Sequence, residues 1–168
     1  MFTLKYLILS HFDENDEPKV FFQAPGLIEE EILSEIPQLL VRRKNAKGVF
    51  MYAFGNYKSA NYLFEISAGA EPKQLLASIV LSEYDLNFKL SQELLKGFEK
   101  ELKQIEGVYK AFYLRSNKYP DSRKTFNQVQ KLFFTFDSTF PEENIIQHKK
   151  DMKIFVFGLN LAGKTSIL

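Results

Sequence analysis

The apolar residues change their spacing near Ser91, and this change constrains the fold more than any other feature of the chain. Before Ser91 they form short runs of β-forming residues separated by turn clusters, and after it they recur every three or four positions. Runs of strands followed by helices predict an α+β fold, in which helices cover an antiparallel sheet. With 17 Phe and 8 Tyr among 168 residues, the chain has enough large apolar side chains to build a core.

The expected elements follow one another without an internal repeat. Strands are expected over 3–12, 19–23, 48–54, 62–67 and 75–82, and helices over 27–43, 91–112 and from Asp121 or Ser122 to Phe140-Pro141. The clusters DENDEP (13–18) and GNYKSAN (55–61) are expected to be turns. The run 75–82 favours a buried strand, although its periodicity alone also allows a helix. Pro37 is expected to kink or split the first helix.

Composition excludes several classes of function. A net charge of +1 gives no general reason to expect nucleic acid as a partner. The absence of cysteine rules out disulfides, thiol catalysis and Cys-type zinc sites. No apolar stretch approaches the roughly 18 residues that a membrane span needs. We therefore expect a cytoplasmic protein, for which peripheral association with a membrane stays open.

No group of residues suggests a catalytic centre, and no catalytic residue is predicted. The two histidines, His11 on a predicted strand and His148 in a predicted linker, are typical of structural or solvated positions. The run Glu29–Glu31 lies in a first helical turn, where the helix dipole favours negative charge. An unrelated enzyme within residues 1–150 is an alternative to which these residues lend no support.

The order of the elements resembles that of the longin domain. That domain has a five-stranded antiparallel sheet with one helix on one face and two on the other. The resemblance covers residues 1–142 and rests on element order, element lengths and the aromatic hairpin that ends in YLFEIS (62–67). The roadblock fold, a relative that usually opens with a helix, and profilin-like folds are the alternatives. Residues 143–152 are expected to be a polar linker with a basic tail.

The last segment, KIFVFGLNLAGKTSIL (153–168), contains GLNLAGKT, which satisfies the phosphate-loop pattern G-x-x-x-x-G-K-[ST]. It resembles the first strand and phosphate loop of the Arf family of small GTPases, whose common form is GLDNAGKT. Asn160 and Leu161 depart from that form, so the Rag and Ras-like branches of small GTPases are alternatives to the Arf family. The resemblance implies a nucleotide-binding segment formed by Gly158, Leu159, Asn160, Leu161, Ala162, Gly163, Lys164, Thr165 and Ser166.

In such a loop, backbone N–H groups surround the phosphates and the lysine reaches the β- and γ-phosphates. The resemblance assigns the lysine role to Lys164 and Mg²⁺ coordination to Thr165. The three residues after Thr165 leave no room for the loops that hold magnesium and recognise guanine. We therefore expect the chain to be the N-terminal part of a longer protein, cut just inside its GTPase domain. GTP or GDP and Mg²⁺ are expected to bind the full-length protein, and no cofactor is expected to bind this fragment.

The two resemblances together imply a non-catalytic longin-type module at the N-terminus of a small Arf-like GTP-binding protein. Longin domains occur in membrane-trafficking proteins, so trafficking or GTPase signalling is the implied setting. The expected partners are a GTPase domain, its own or another, and a second copy in a homodimer, with no nucleic acid. An alternative is a GTPase whose N-terminal domain is only a scaffold. Deletion of the module would alter GTP hydrolysis or nucleotide exchange only under the first interpretation.

The interface is expected at GVFMYAF (48–54), because the third strand of the resembled topology is outermost. Its alternation places Phe50, Tyr52 and Phe54 on one face and Met51 and Ala53, with Val49, on the other. Both faces are apolar, as in a strand covered on both sides, and no charge within 49–54 opposes pairing with another chain. The alternative is that helices cover both faces and loops protect the edge. The nearby cluster 42–44 is interpreted as a solvated helix end.

Overall fold

Residues 5–43, 46–69, 71–82, 85–116, 118–139 and 146–147 are described by a computed structural model. The strands are β1 Lys5–Phe12, β2 Pro18–Ala24, β3 Gly48–Phe54, β4 Tyr57–Ile66, β5 Lys73–Ser82, β6 Asp85–Leu86 and β7 Ile146–Gln147. The helices are α1 Glu30–Arg42, α2 Phe88–Lys103 and α3 Ser122–Ser138, with a 3₁₀ segment at Val108–Ser116 between α2 and α3. The α+β class predicted from the sequence is confirmed.

Five of the strands form one antiparallel sheet in the order β2-β1-β5-β4-β3. The central ladders join β5 to β1 and to β4, as in the pairs Leu7 with Ile79 and Ala60 with Ile79. The near-continuous apolar run 75–82, which allowed a strand or a helix, is therefore the central strand. This position buries β5 on both faces, which explains why its sequence lacks an alternating pattern.

Helices pack on both faces of this sheet. Helix α1 lies against β2, β1 and β5, and its buried residues share a cluster with one face of the sheet. Helix α2 lies against β4 and β5, and α3 against β2 and the 3₁₀ segment, on the opposite face. The α1 cluster contains Tyr6, Ile8, Ile32, Ile36, Leu39, Leu40, Phe54, Tyr57, Leu63, Leu76 and Val80.

Two helix predictions need correction. The helix expected over 91–112 begins earlier, at Phe88, where the side chain of Asn87 accepts a hydrogen bond from the Leu90 N–H at 3.1 Å. It ends at Lys103, and the chain turns through Gly107 at a φ of 65° before the 3₁₀ segment. The apolar spacing continues across this break because both pieces pack on the same core.

The first helix and the second hairpin also differ from the prediction. Helix α1 begins at Glu30 and runs through the buried Pro37 as one helix, because its apolar face is held against the sheet. The expected turn 55–61 is wrong. Only Gly55 and Asn56 form the turn, and Gly55 has a φ of 52°. Two of the polar residues that suggested a longer turn, Ser59 and Asn61, instead lie within β4 and are buried.

Candidate functional site: the open edge at β3

Two sets of site residues were predicted from the sequence, a nucleotide-binding segment and an interface strand, and only the interface strand lies among the described residues. The nucleotide-binding segment, residues 158–166, is outside the described residues. So is the expected linker 143–152, except for Ile146–Gln147, which pair with Asp85–Leu86 as β7 and β6. The interface candidates, residues 50–54, all lie in β3, which the sheet order places at an edge as predicted.

The backbone of β3 pairs on one side only within the described part of the chain. Phe54 pairs with Tyr57 across the two-residue turn, so the pairs that exchange hydrogen bonds with β4 include Tyr52 with Ser59 and Phe50 with Asn61. The N–H and C=O groups of the alternate residues, Val49, Met51 and Ala53, therefore point away from the sheet. These groups form a row that can accept another strand.

The two faces of β3 are covered to different extents. Phe50, Tyr52 and Phe54 pack with the α1 cluster, as their alternation predicted. On the other face, Met51 is 43% exposed and Ala53 is also exposed. The alternative in which helices cover both faces of β3 is therefore wrong. An exposed thioether beside an open backbone row gives the edge an apolar contact surface.

Three side chains form a polar cluster between α1 and β3. The Tyr52 hydroxyl donates to Glu35 Oε1 at 2.7 Å, and Arg42 Nη1 donates to that hydroxyl at 2.7 Å. The Tyr52 hydroxyl is the main cause that lowers the pKa of the Glu35 carboxyl, with Arg42 contributing less. The cluster ties the face of β3 to α1 and leaves the backbone row of β3 open.

The basic residues at the end of α1 contact aromatic rings of β3, which the sequence did not predict. The Arg43 guanidinium lies 3.9 Å from the centre of the Phe50 ring, and that of Arg42 lies 5.8 Å from the Tyr52 ring. Arg42 and Arg43 are exposed at the end of α1, as expected for a solvated helix end, and in addition they contact β3, whereas Lys44 lies outside the described residues. The available signal was the spacing of Glu35 and Arg42, which lie two helical turns apart on one side of α1.

A second concave feature lies between the β1–β2 turn and the 3₁₀ segment. This cavity, of about 500 Å³, is lined by His11, Phe21 and Phe112 together with charged residues of the turn. The rings of Phe21 and Phe112 lie 4.9 and 5.4 Å from that of His11. Burial, reinforced by the charge of Lys73, lowers the pKa of His11 to about 4. The imidazole is therefore neutral at pH 7.

Lys73 lies beside this cavity and is held in place by a hydrogen bond and by aromatic rings. Its Nζ donates to the Phe12 carbonyl at 2.8 Å and lies 5.4 Å from the centre of the Phe112 ring. Burial lowers the pKa of Lys73. Lys73 donates to a backbone carbonyl and His11 Nδ1 has no hydrogen-bond partner among the described residues, so the arrangement offers a packed, neutral histidine and an anchored lysine rather than an acid–base pair.

Metal sites and membrane-spanning helices are the other features that could indicate a function. Within the described ranges, three or more metal-ligating side chains do not come together, and the helices are too short or too polar to cross a membrane. No protein-family model matches the chain, and no curated protein matches it in sequence. The open edge of β3 is therefore the candidate functional site.

Proposed function

We propose that residues 1–142 are a longin-type, non-catalytic interaction module, placed ahead of a small Arf-like GTPase domain. The five-stranded sheet, with α1 on one face and α2 and α3 on the other, supports the longin resemblance. The GLNLAGKT loop and the apolar run before it support the GTPase resemblance. The module acts by binding, in a trafficking or GTPase-signalling setting, and the GTPase domain of the full-length protein carries the GTP chemistry.

The observation that carries this proposal is the open row of backbone groups on β3. Strand addition at a sheet edge supplies main-chain hydrogen bonds, and the side chains beside the edge supply selectivity. Edges that are not used for binding are commonly guarded by charge, proline or a bulge. Residues 49–54 contain no charge and no proline, and the β3–β4 register is continuous from Gly48 to Phe54.

The partner that fits this edge best is a second copy of the chain. Antiparallel pairing centred on Met51 places Val49 of one copy opposite Ala53 of the other, so the same uncharged row serves both sides of a two-fold interface. No like charges within 49–54 oppose each other in this register, and the exposed Met51 side chains cover one another. The two sheets then join edge to edge.

Sedimentation of the 168-residue chain tests the interface. Wild type is expected to dimerise. Ala53→Pro removes an outward N–H from the row without touching the pairing with β4, so it is expected to raise the dimer dissociation constant at least about tenfold. Ala53→Ser is the matched control, because it changes the same side chain and keeps the N–H.

Circular dichroism confirms that the variants are folded. A monomeric wild type, or a folded Ala53→Pro chain that still dimerises, contradicts the homodimer. The wider proposal is tested separately in a protein with a complete GTPase domain. There, deletion of residues 1–142 is expected to change nucleotide exchange or hydrolysis. Unchanged rates would favour the alternative, in which the N-terminal domain is only a scaffold.

A further inference from the structure

A strong charge asymmetry separates one part of the molecule from the rest. Residues 108–131, which span the 3₁₀ segment and most of α3, contain six cationic residues and one acidic residue, a net charge of +5. The whole chain carries only +1, so the remaining residues carry a net charge of −4. Such a local excess creates a positive potential that the overall composition conceals.

The fold gathers the cations of α3 onto one exposed side. Arg123, Lys124 and Lys131 line one shallow surface depression along α3. Lys118 lies just before this helix, 5.3 Å from the centre of the Tyr113 ring and 5.7 Å from that of Tyr119. We call these four residues the basic face. Among the described residues, none of the four forms an ion pair, and the one acid lining the depression, Asp121, is paired with Lys110 at 3.0 Å.

An exposed aromatic ring extends the basic face. Phe134 follows Arg123 by three helical turns, so it lies on the same side of α3, about 16 Å further along the axis. Its side chain is 42% exposed, whereas the adjacent Phe133 is 1% exposed. The side of α3 that faces away from the core therefore presents a row of cations that ends in a large apolar group.

We propose that the basic face and Phe134 bind the surface of a membrane that contains anionic lipids. The depression is shallow, so it suits a broad layer of negative headgroups, which attracts juxtaposed Lys and Arg residues without a fitted pocket. Phe134 enters the apolar boundary beneath those headgroups. This inference does not depend on the dimer or on the GTPase domain.

Nucleic acid fits the same surface less well. The aromatic residues that lie among the cations are Tyr109, Tyr113 and Tyr119. Tyr119 packs edge-on against the other two, with ring centres 5.4 and 5.7 Å apart. The three rings are half-buried, so they do not present the free faces on which bases stack. Binding to an oligonucleotide is accordingly an outcome that counts against the proposal.

Vesicle flotation with the 168-residue chain tests the proposal. Wild type is expected to float with vesicles of phosphatidylcholine containing about 30% phosphatidylserine and to stay unbound with pure phosphatidylcholine. Raising NaCl from about 0.1 M to about 0.5 M is expected to release it, because salt screens the attraction. The triple variant Arg123→Gln, Lys124→Gln, Lys131→Gln is expected to bind about 100-fold more weakly.

The matched control removes the same charge from another helix. Lys89→Gln, Lys96→Gln and Lys100→Gln change three exposed lysines of α2, and binding is expected to stay within about threefold of wild type. Phe134→Gln tests the apolar contribution and is expected to weaken binding about tenfold without altering its salt dependence. The proposal is overturned if wild type ignores the anionic vesicles or if both triple variants lose binding equally. Displacement of the vesicles by a single-stranded oligonucleotide would also overturn it.

Discussion

Helices cover both faces of the central sheet, and the two cores beneath them differ chemically. On the α2 and α3 face the core is dominated by aromatic and aliphatic side chains, including Phe22, Phe98 and Phe133. On the α1 face, the strands bury a group of four polar side chains, which we call the polar inset: Ser10, Ser59, Asn61 and Ser78, each with no exposed surface. On the first face the buried polar side chains lie mainly on the helices, as Ser91, Ser122 and Thr125 do, whereas on the second face they belong to the strands of the sheet.

The largest loss of stability is expected from Phe133→Ala, in the core between the sheet and helices α2 and α3. The Phe133 ring lies 5.5 Å from that of Phe22 and 6.3 Å from that of Phe98, so its removal leaves a cavity at the centre of the aromatic layer. The free energy of unfolding is expected to fall by about 3–5 kcal/mol in urea titrations. Phe134→Ala is expected to cost less, about 1–2 kcal/mol, because the Phe134 ring is only partly covered, by its contacts with Phe22 and Phe133. Equal losses would mean that α3 does not pack as described.

The same contrast explains which elements could be predicted from the sequence. The apolar runs that became β1, β3 and β5 were correctly assigned as strands, and β3 has the predicted bounds. The start of β4 was missed because Ser59 and Asn61 are typical of turns. Their burial depends on hydrogen bonds across the sheet, such as Ser59 Oγ to the Tyr52 carbonyl at 3.2 Å. Such tertiary partners leave no periodic signal.

The candidate site was predictable in part. The alternation of β3 and the resemblance to a known topology predicted an edge strand with Phe50, Tyr52 and Phe54 on one face, and this is confirmed. Whether the opposite face is covered was left open, because an apolar sequence cannot tell whether a helix reaches the last strand. The contacts of Arg42 and Arg43 with β3 required the crossing of α1 over the sheet, which depends on tertiary packing.

His11 packs against the rings of Phe21 and Phe112 on the α2 and α3 face. Its titration is expected to make the free energy of unfolding depend on pH. The pKa of His11 is about 4 in the folded chain and about 6.5 when unfolded, so the unfolded state binds more protons between these values. The stabilisation of the folded chain by neutral His11 is fully present above about pH 7, and it is lost progressively as the pH decreases from about 6.5 to about 4. The loss reaches at most about 3 kcal/mol.

Urea titrations at about pH 7 and about pH 4.5 measure this effect when wild type is compared with His11→Phe. The Phe ring keeps the contacts with Phe21 and Phe112 and cannot titrate. The variant is therefore expected to lose about 2–3 kcal/mol less than wild type over this interval. Destabilisation that comes from the carboxyl groups is common to both chains and cancels in the comparison. Parallel pH profiles would show that the imidazole is not held neutral by the fold.

The smallest expected effect has the opposite sign and comes from the polar inset on the α1 face. Ser78 Oγ is buried and has no hydrogen-bond partner among the described residues, so Ser78→Ala removes an unpaired hydroxyl and is expected to stabilise the chain by up to about 1 kcal/mol. Ser59→Ala provides the matched control. Ser59 Oγ accepts from Asn61 Nδ2 at 2.9 Å, and its loss leaves that amide short of a partner, at a cost of about 1 kcal/mol. Urea titration of both variants measures the two signs together. If Ser78→Ala destabilises the chain as Ser59→Ala does, the hydroxyl of Ser78 is not unpaired but hydrogen-bonded to a buried water, and removing it costs that hydrogen bond.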